Sequence, residues 1–195
     1  MELATLLGWI AAVLGSVVGI PQAIRIIRTR AVEGISLLAW QSLLVTNIAW
    51  GTHGALIGEV NMLVVNVLAF FCTITVLFLM ARARGKSLVA VFAPGVLLGL
   101  AMVAIDVWAG SAVFGTIAAI PGVGGLLGQS VALIRARSVK GVSMPFLGLT
   151  FANFVSWAAW GYLVDDAGTL ITNVLTAAVS GFNLLWLVVR RLRRS

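Results

Sequence analysis

Charge is scarce in this chain. Only 10% of its 195 residues are Asp, Glu, Lys or Arg, against about 25% in soluble domains, which argues against an ordinary water-soluble fold. Cysteine is scarcer still. Cys72, the single one, lies in an apolar run and has no partner within the chain, so a disulfide framework is excluded. With six acidic residues and one histidine, little material exists for general acid–base catalysis. No catalytic or metal-binding residues are expected, and the chain does not read as an enzyme. Nothing matches a P-loop, so ATP is not expected to bind, and no cofactor is expected.

What the chain has in quantity is apolar sequence, 61% of it. A membrane helix needs roughly 20 mostly apolar residues. Seven segments qualify: 3–25, 36–57, 61–81, 87–108, 112–134, 143–164 and 168–189. Only Glu2 precedes the first, with no basic n-region, so it reads as a retained span and not a cleaved signal peptide. The net charge of +7 would suit nucleic acid, but its distribution does not. All thirteen basic residues fall into four clusters between apolar runs: Arg25/Arg28/Arg30, Arg82/Arg84/Lys86, Arg135/Arg137/Lys140 and Arg190/Arg191/Arg193/Arg194. This is the pattern of cytoplasmic loops; the expected partner is the lipid bilayer, with no nucleic acid.

Alternating spans put every Lys and Arg on one side. Five of the six acids, Glu33 excepted, fall on the other. Six or eight spans would spoil that sorting. The expected topology has the N-terminus outside and the C-terminus in the cytoplasm. A bias to Arg over Lys hints at a bacterial plasma membrane.

Shifted by 107 positions, the sequence meets itself without a gap. "GWIAAVLGSVVGIPQ" meets "GTIAAIPGVGGLLGQ", "RTRAVEGIS" meets "RARSVKGVS", Trp50 meets Trp157 and Gly54 meets Gly161. About 20 of roughly 75 aligned positions are identical, which points to an internal duplication. The repeat unit holds three spans. The odd fourth span restores a common orientation, so the repeats are parallel, related by an axis along the membrane normal. The expected fold is an all-α membrane protein of seven transmembrane helices in a 3+1+3 arrangement. Residues 1–86 form the first three-helix repeat, 87–111 the linker helix, and 112–195 the second repeat with a basic tail.

With this organisation, the chain resembles the SWEET-type sugar transporters of the PQ-loop superfamily over its whole length. The resemblance rests on the 3+1+3 layout, on Pro21-Gln22, on "SVKGVSMPF" at 138–146, and on a Trp and an Asn sixteen residues apart in each repeat. The second repeat has Gly128-Gln129 in place of a second Pro-Gln, and Leu38 faces Pro145. The resemblance implies a facilitative sugar carrier (a uniporter) that alternates access around a site between the repeats.

The sequence also places that site. Trp50 lies eight residues before Gly58 and Asn66 eight after it. At 1.5 Å per residue, both are about 12 Å below the outer helix ends, level with each other near mid-membrane. Trp157 and Asn173 flank Asp165 in the same way. Indole faces pack against the C–H faces of a pyranose, while Asn serves its hydroxyls. Trp50, Asn66, Trp157 and Asn173 are therefore the expected substrate-binding residues. Asn47 and His53 share the helical face of Trp50. They and their rough counterparts Asn153, Ser156 and Trp160 are second choices for the lining. Trp9, Trp40, Trp108 and Trp186 sit near span ends, as interfacial tryptophans do.

Pro21 removes a backbone donor near the inner end of span 1. Together with Gln22, Gln129 and Pro145 it is the expected hinge and gate. The expected substrate is a mono- or disaccharide. The alternatives are a PQ-loop transporter of another small polar metabolite, such as an amino acid, and a non-transporting receptor of the same fold. Amino-acid carriers of this superfamily are similar in fold but carry embedded acids, which these spans lack. Homo-oligomerisation stays open, since two repeats already supply a pseudo-dimer.

Overall fold

The computed structural model describes residues 2–30, 37–136, 139 and 142–192, without the side chains of 17–23, 25, 26 and 132. Among the described residues are seven α-helices: α1 Glu2–Thr29, α2 Leu37–Leu56, α3 Val60–Ala83, α4 Leu88–Ala109, α5 Ser111–Arg135, α6 Met144–Leu163 and α7 Ala167–Leu192. They coincide with the seven expected segments to within a few residues. Four of them, α3, α4, α5 and α7, are long and apolar enough to cross a membrane. The helices start where propensity says they should. Ser87 and Ser143 cap α4 and α6, accepting from the backbone N–H of Ala90 and Phe146.

The chain divides into two compact units, one of Met1–Val18 with Ser111–Ser195, the other of Gly19–Gly110. In the second unit α2 is flanked by α3 and α4. Its apolar cluster is Trp40, Leu44, Val76, Leu77, Met80, Ala81 and Val91. In the first unit α7 lies between α5 and α6, around Leu133, Val139, Leu147 and Leu187. Each cluster sits at the helix ends that carry basic residues. Met80 and Leu187, both fully buried, are one repeat length apart.

Between α7 and α5 the packing is polar. Thr169, Thr172, Asn173, Thr176, Ser180 and Asn183 form a buried stripe on α7. Thr172 Oγ1 donates to the Gly115 carbonyl (2.6 Å) and Asn183 Nδ2 to that of Leu126 (3.0 Å). Polar side chains inside an apolar bundle are retained where they join helices in this way.

The end of α5 is held by α7 as well. The last carbonyls of a helix lack intrahelical partners. Here Arg190 donates to Leu133 O (2.8 Å), Ile134 O (3.3 Å) and Ala136 O (2.8 Å). Arg191 donates to Val142 O (2.7 Å). Arg190→Ala should therefore cost about 2 kcal/mol, the worth of charge-assisted bonds to carbonyls. The expected reading is a lower unfolding midpoint in detergent. Arg190→Lys should recover less than half of it, because a single ammonium cannot fork across the carbonyls.

Candidate functional site

The expected binding residues lie on two helical hairpins, α2–α3 and α6–α7. Each hairpin turns through the same main-chain bonds. In the first, Glu59 N–H donates to Gly54 O (2.7 Å) and Gly58 N–H to Ala55 O (3.4 Å). In the second, Asp166 N–H donates to Gly161 O (2.9 Å) and Asp165 N–H to Tyr162 O (3.4 Å). This paired pattern is the Schellman helix stop, with its left-handed residue at Gly58 (φ 77°) or Asp165 (φ 57°). Asp tolerates that region better than most residues.

The close approach of the helices is duplicated too. A Cβ on Gly54 would lie 2.9 Å from Leu63 N and 3.0 Å from Met62 Cβ. On Gly161 it would lie 2.8 Å from Leu170 N and 3.1 Å from Thr169 Cβ. Every residue in the second set stands 107 after its counterpart in the first. The sequence repeat is therefore a repeat of backbone geometry.

That geometry fixes the Trp and the Asn of each hairpin. Asn66 Nδ2 donates to Met62 O (2.9 Å), and Asn173 Nδ2 to Thr169 O (2.8 Å). Each amide is thus pinned to its own helix while its Oδ1 is left to accept. A Cβ on Gly51 would come 3.2 Å from Asn66 Cβ, so Asn66 lies level with the Trp50–Gly51 step. The Trp50 ring meets His53 edge to face, centroids 5.5 Å apart at 89°. The Trp157 ring meets Trp160 likewise, at 5.4 Å and 85°. Trp50, Asn66 and Trp157 are half-buried, and Asn173 is buried.

The second choices separate. Asn47 is buried and donates to Thr73 Oγ1 (2.9 Å), joining α2 to α3. Ser156 donates to Ala152 O on its own helix (2.8 Å). Asn153 lies close to Gly15 of α1, where a Cβ would be 3.4 Å from its Oδ1. Along α6, Thr150, Asn153, Trp157 and Trp160 recur at helical spacing on one face. Among the described residues, Thr150 Oγ1, Asn153 Oδ1 and Trp160 Nε1 are buried without a hydrogen-bond partner. Buried polar groups are seldom left unpaired, so this face is suited to a ligand that brings hydroxyls. Thr150 is a residue the sequence reading missed, although its spacing from Trp157 was there to find.

Of the expected gate residues, Pro21 and Gln22 lie in α1, but their side chains are outside the described residues. Gln129 is half-buried in α5. Pro145 is the second residue of α6, where its missing N–H costs no helical bond. Pro94 and Pro121 stand inside α4 and α5. Asp106, one of the acids that charge sorting assigns to the outer side, departs from the expectation that these spans lack embedded acids. It is buried, and its Oδ2 lies 2.7 Å from His53 Nδ1.

A family model described as PQ loop repeat matches residues 3–52. The sugar transporter SemiSWEET of Escherichia coli (strain UMEA 3162-1) is 32% identical over 66 residues, 34% of this chain and 74% of that protein. Among solved structures, a eukaryotic SWEET transporter superposes with a TM-score of 0.70, covering 95% of this chain and 94% of the other. At 17% identity, that likeness is one of fold.

Proposed function

This chain belongs to the SWEET-type PQ-loop family, and from that premise we propose that it carries a mono- or disaccharide across a membrane by facilitated diffusion. It is an integral, multi-pass membrane protein and not an enzyme. All seven helices span the bilayer in a 3+1+3 order, with the N-terminus outside, the C-terminus in the cytoplasm and the plasma membrane as the site. Trp50, Asn66, Trp157 and Asn173 contact the sugar, and access alternates by rocking of the repeats.

The observation that carries this reading is one geometry occurring twice: an indole, backed edge to face by a second ring, with an amide pinned sixteen residues on. The indole offers a flat apolar face and the amide a fixed acceptor, the two features that a pyranose presents in complement. The polar atoms of Thr150 and Asn153 support the same substrate class. Pro21, Gln22, Gln129 and Pro145 are proposed to line the moving inner gate.

Purified protein in proteoliposomes is the test. Labelled glucose or sucrose should equilibrate down its gradient, with an initial rate changed by less than about twofold when an inward proton gradient is imposed. Accumulation above equilibrium driven by that gradient would overturn uniport. Amino-acid flux without sugar flux would overturn the substrate class.

A further inference from the structure

The two edge-to-face ring pairs are built differently, and the difference involves α4. In the second repeat Trp157 is backed by Trp160, whose side chain has no exposed surface. An indole of that size is held by packing alone. In the first repeat the backing ring is the smaller imidazole of His53, 1% exposed. Its Nδ1 lies 2.7 Å from Asp106 Oδ2 on α4, and Asp106 is 8% exposed. The two side chains share one hydrogen bond at that nitrogen.

We infer that Asp106 is a positioning residue for substrate recognition: it fixes the His53 ring plane, and His53 in turn fixes the Trp50 indole. This rests on the reading that Trp50 meets the sugar. The physical reason is that a ring anchored at one nitrogen loses its freedom to turn about χ2. An edge-to-face partner then transmits that restraint to the indole beside it. A buried acid inside a membrane helix is expensive unless it is paired and used. Nothing comparable backs Trp157, because Trp160 needs no anchor. The same ring geometry is thus reached once by volume and once by a hydrogen bond. The second solution makes α4 part of the recognition apparatus, although no α4 side chain is placed against the sugar.

The test joins sugar-binding isotherms, proteoliposome exchange and fluorine NMR of 5-fluorotryptophan protein, the Trp50 line being assigned with Trp50→Phe. Asp106→Leu should weaken sugar binding about tenfold and raise KM in step, with kcat changed less than about threefold. The Trp50 line should broaden or split. Asp106→Asn keeps an oxygen acceptor and should stay within about threefold of wild type. In the double variant His53→Phe with Asp106→Leu, an apolar ring backs Trp50 and both members of the hydrogen-bonded pair are removed together. It should restore binding to within about threefold and restore the narrow line. Should Asp106→Leu not fold, the double variant decides. Normal binding by it supports the inference, and tenfold-weakened binding by folded double-variant protein overturns it.

Folded Asp106→Leu protein with an unchanged binding constant and an unchanged Trp50 line would also overturn the inference. Trp50→Ala separates the two readings. If it binds sugar normally, the site assignment fails, while the fluorine line still reports whether Asp106 holds the ring. If it loses binding while Asp106→Leu changes nothing, the site stands and the positioning role falls.

Discussion

Sugar flux should fall about 100-fold or more in Trp157→Ala and in Asn173→Ala, with Trp50→Ala and Asn66→Ala close behind. That corresponds to about 3 kcal/mol each, the usual scale for a ring or amide at the centre of a binding site. The variants should remain folded for different reasons at each position. Asn66 and Asn173 give one donor to a carbonyl of their own helix, and that carbonyl keeps its ordinary backbone partner. Trp50 and Trp157 are half-buried, so shortening them leaves no sealed cavity of indole size. Monodisperse elution and an unfolding midpoint within a few degrees of wild type are the controls. Normal flux from folded Trp157→Ala and Asn173→Ala protein would remove the second hairpin from the site.

Gly115→Val should leave almost no folded protein. A Cβ at Gly115 would overlap the backbone of Gly168, and one at Gly168 would meet Ser111 of α5 at 2.5 Å. These are main-chain neighbours, which cannot swing aside as a flexible side chain can. To admit the valine, α5 and α7 must part. That breaks the Thr172–Gly115 bond (2.6 Å) and the bond from Gly168 N–H to Ser111 Oγ (2.8 Å). Together with the overpacking, the loss should exceed about 4 kcal/mol, beyond the range of ordinary substitutions. Fluorescence-detected gel filtration of crude extracts is a sufficient measurement. Gly124→Ala is the comparison. A Cβ there meets nothing within 4 Å, and the change should fall within about 0.5 kcal/mol of neutral.

The helices were legible in the sequence because each apolar run ends at a short polar or basic break. The paired hairpins were legible because the duplication keeps Trp50, Gly54, Leu63 and Asn66 in register with Trp157, Gly161, Leu170 and Asn173. Other features were not. His53 and Asp106 are 53 residues apart on different helices, and no local pattern joins them. Charge sorting explained Asp106 well enough as an acid at a span end, so nothing prompted a search for its partner. Arg190 sits in a cluster whose sign alone suffices to set topology, which hid its bonds to the end of α5. The polar residues of α7 do recur with helical period. What they bond to depends on how near the glycine-rich backbone of α5 comes, and packing decides that.

The turn between α2 and α3, and its double between α6 and α7, share one set of main-chain hydrogen bonds. The second turn adds the Asp166 carboxylate, which accepts from the Gly168 and Thr169 N–H groups, while Glu59 adds no such cap to the first. Asp165 stands where Gly58 does, Asp166 where Glu59 does, and Trp160 where His53 does, on the same main-chain frame. A carrier constructed so can retune its cargo preference one copy at a time, the untouched copy preserving a working version while its twin explores.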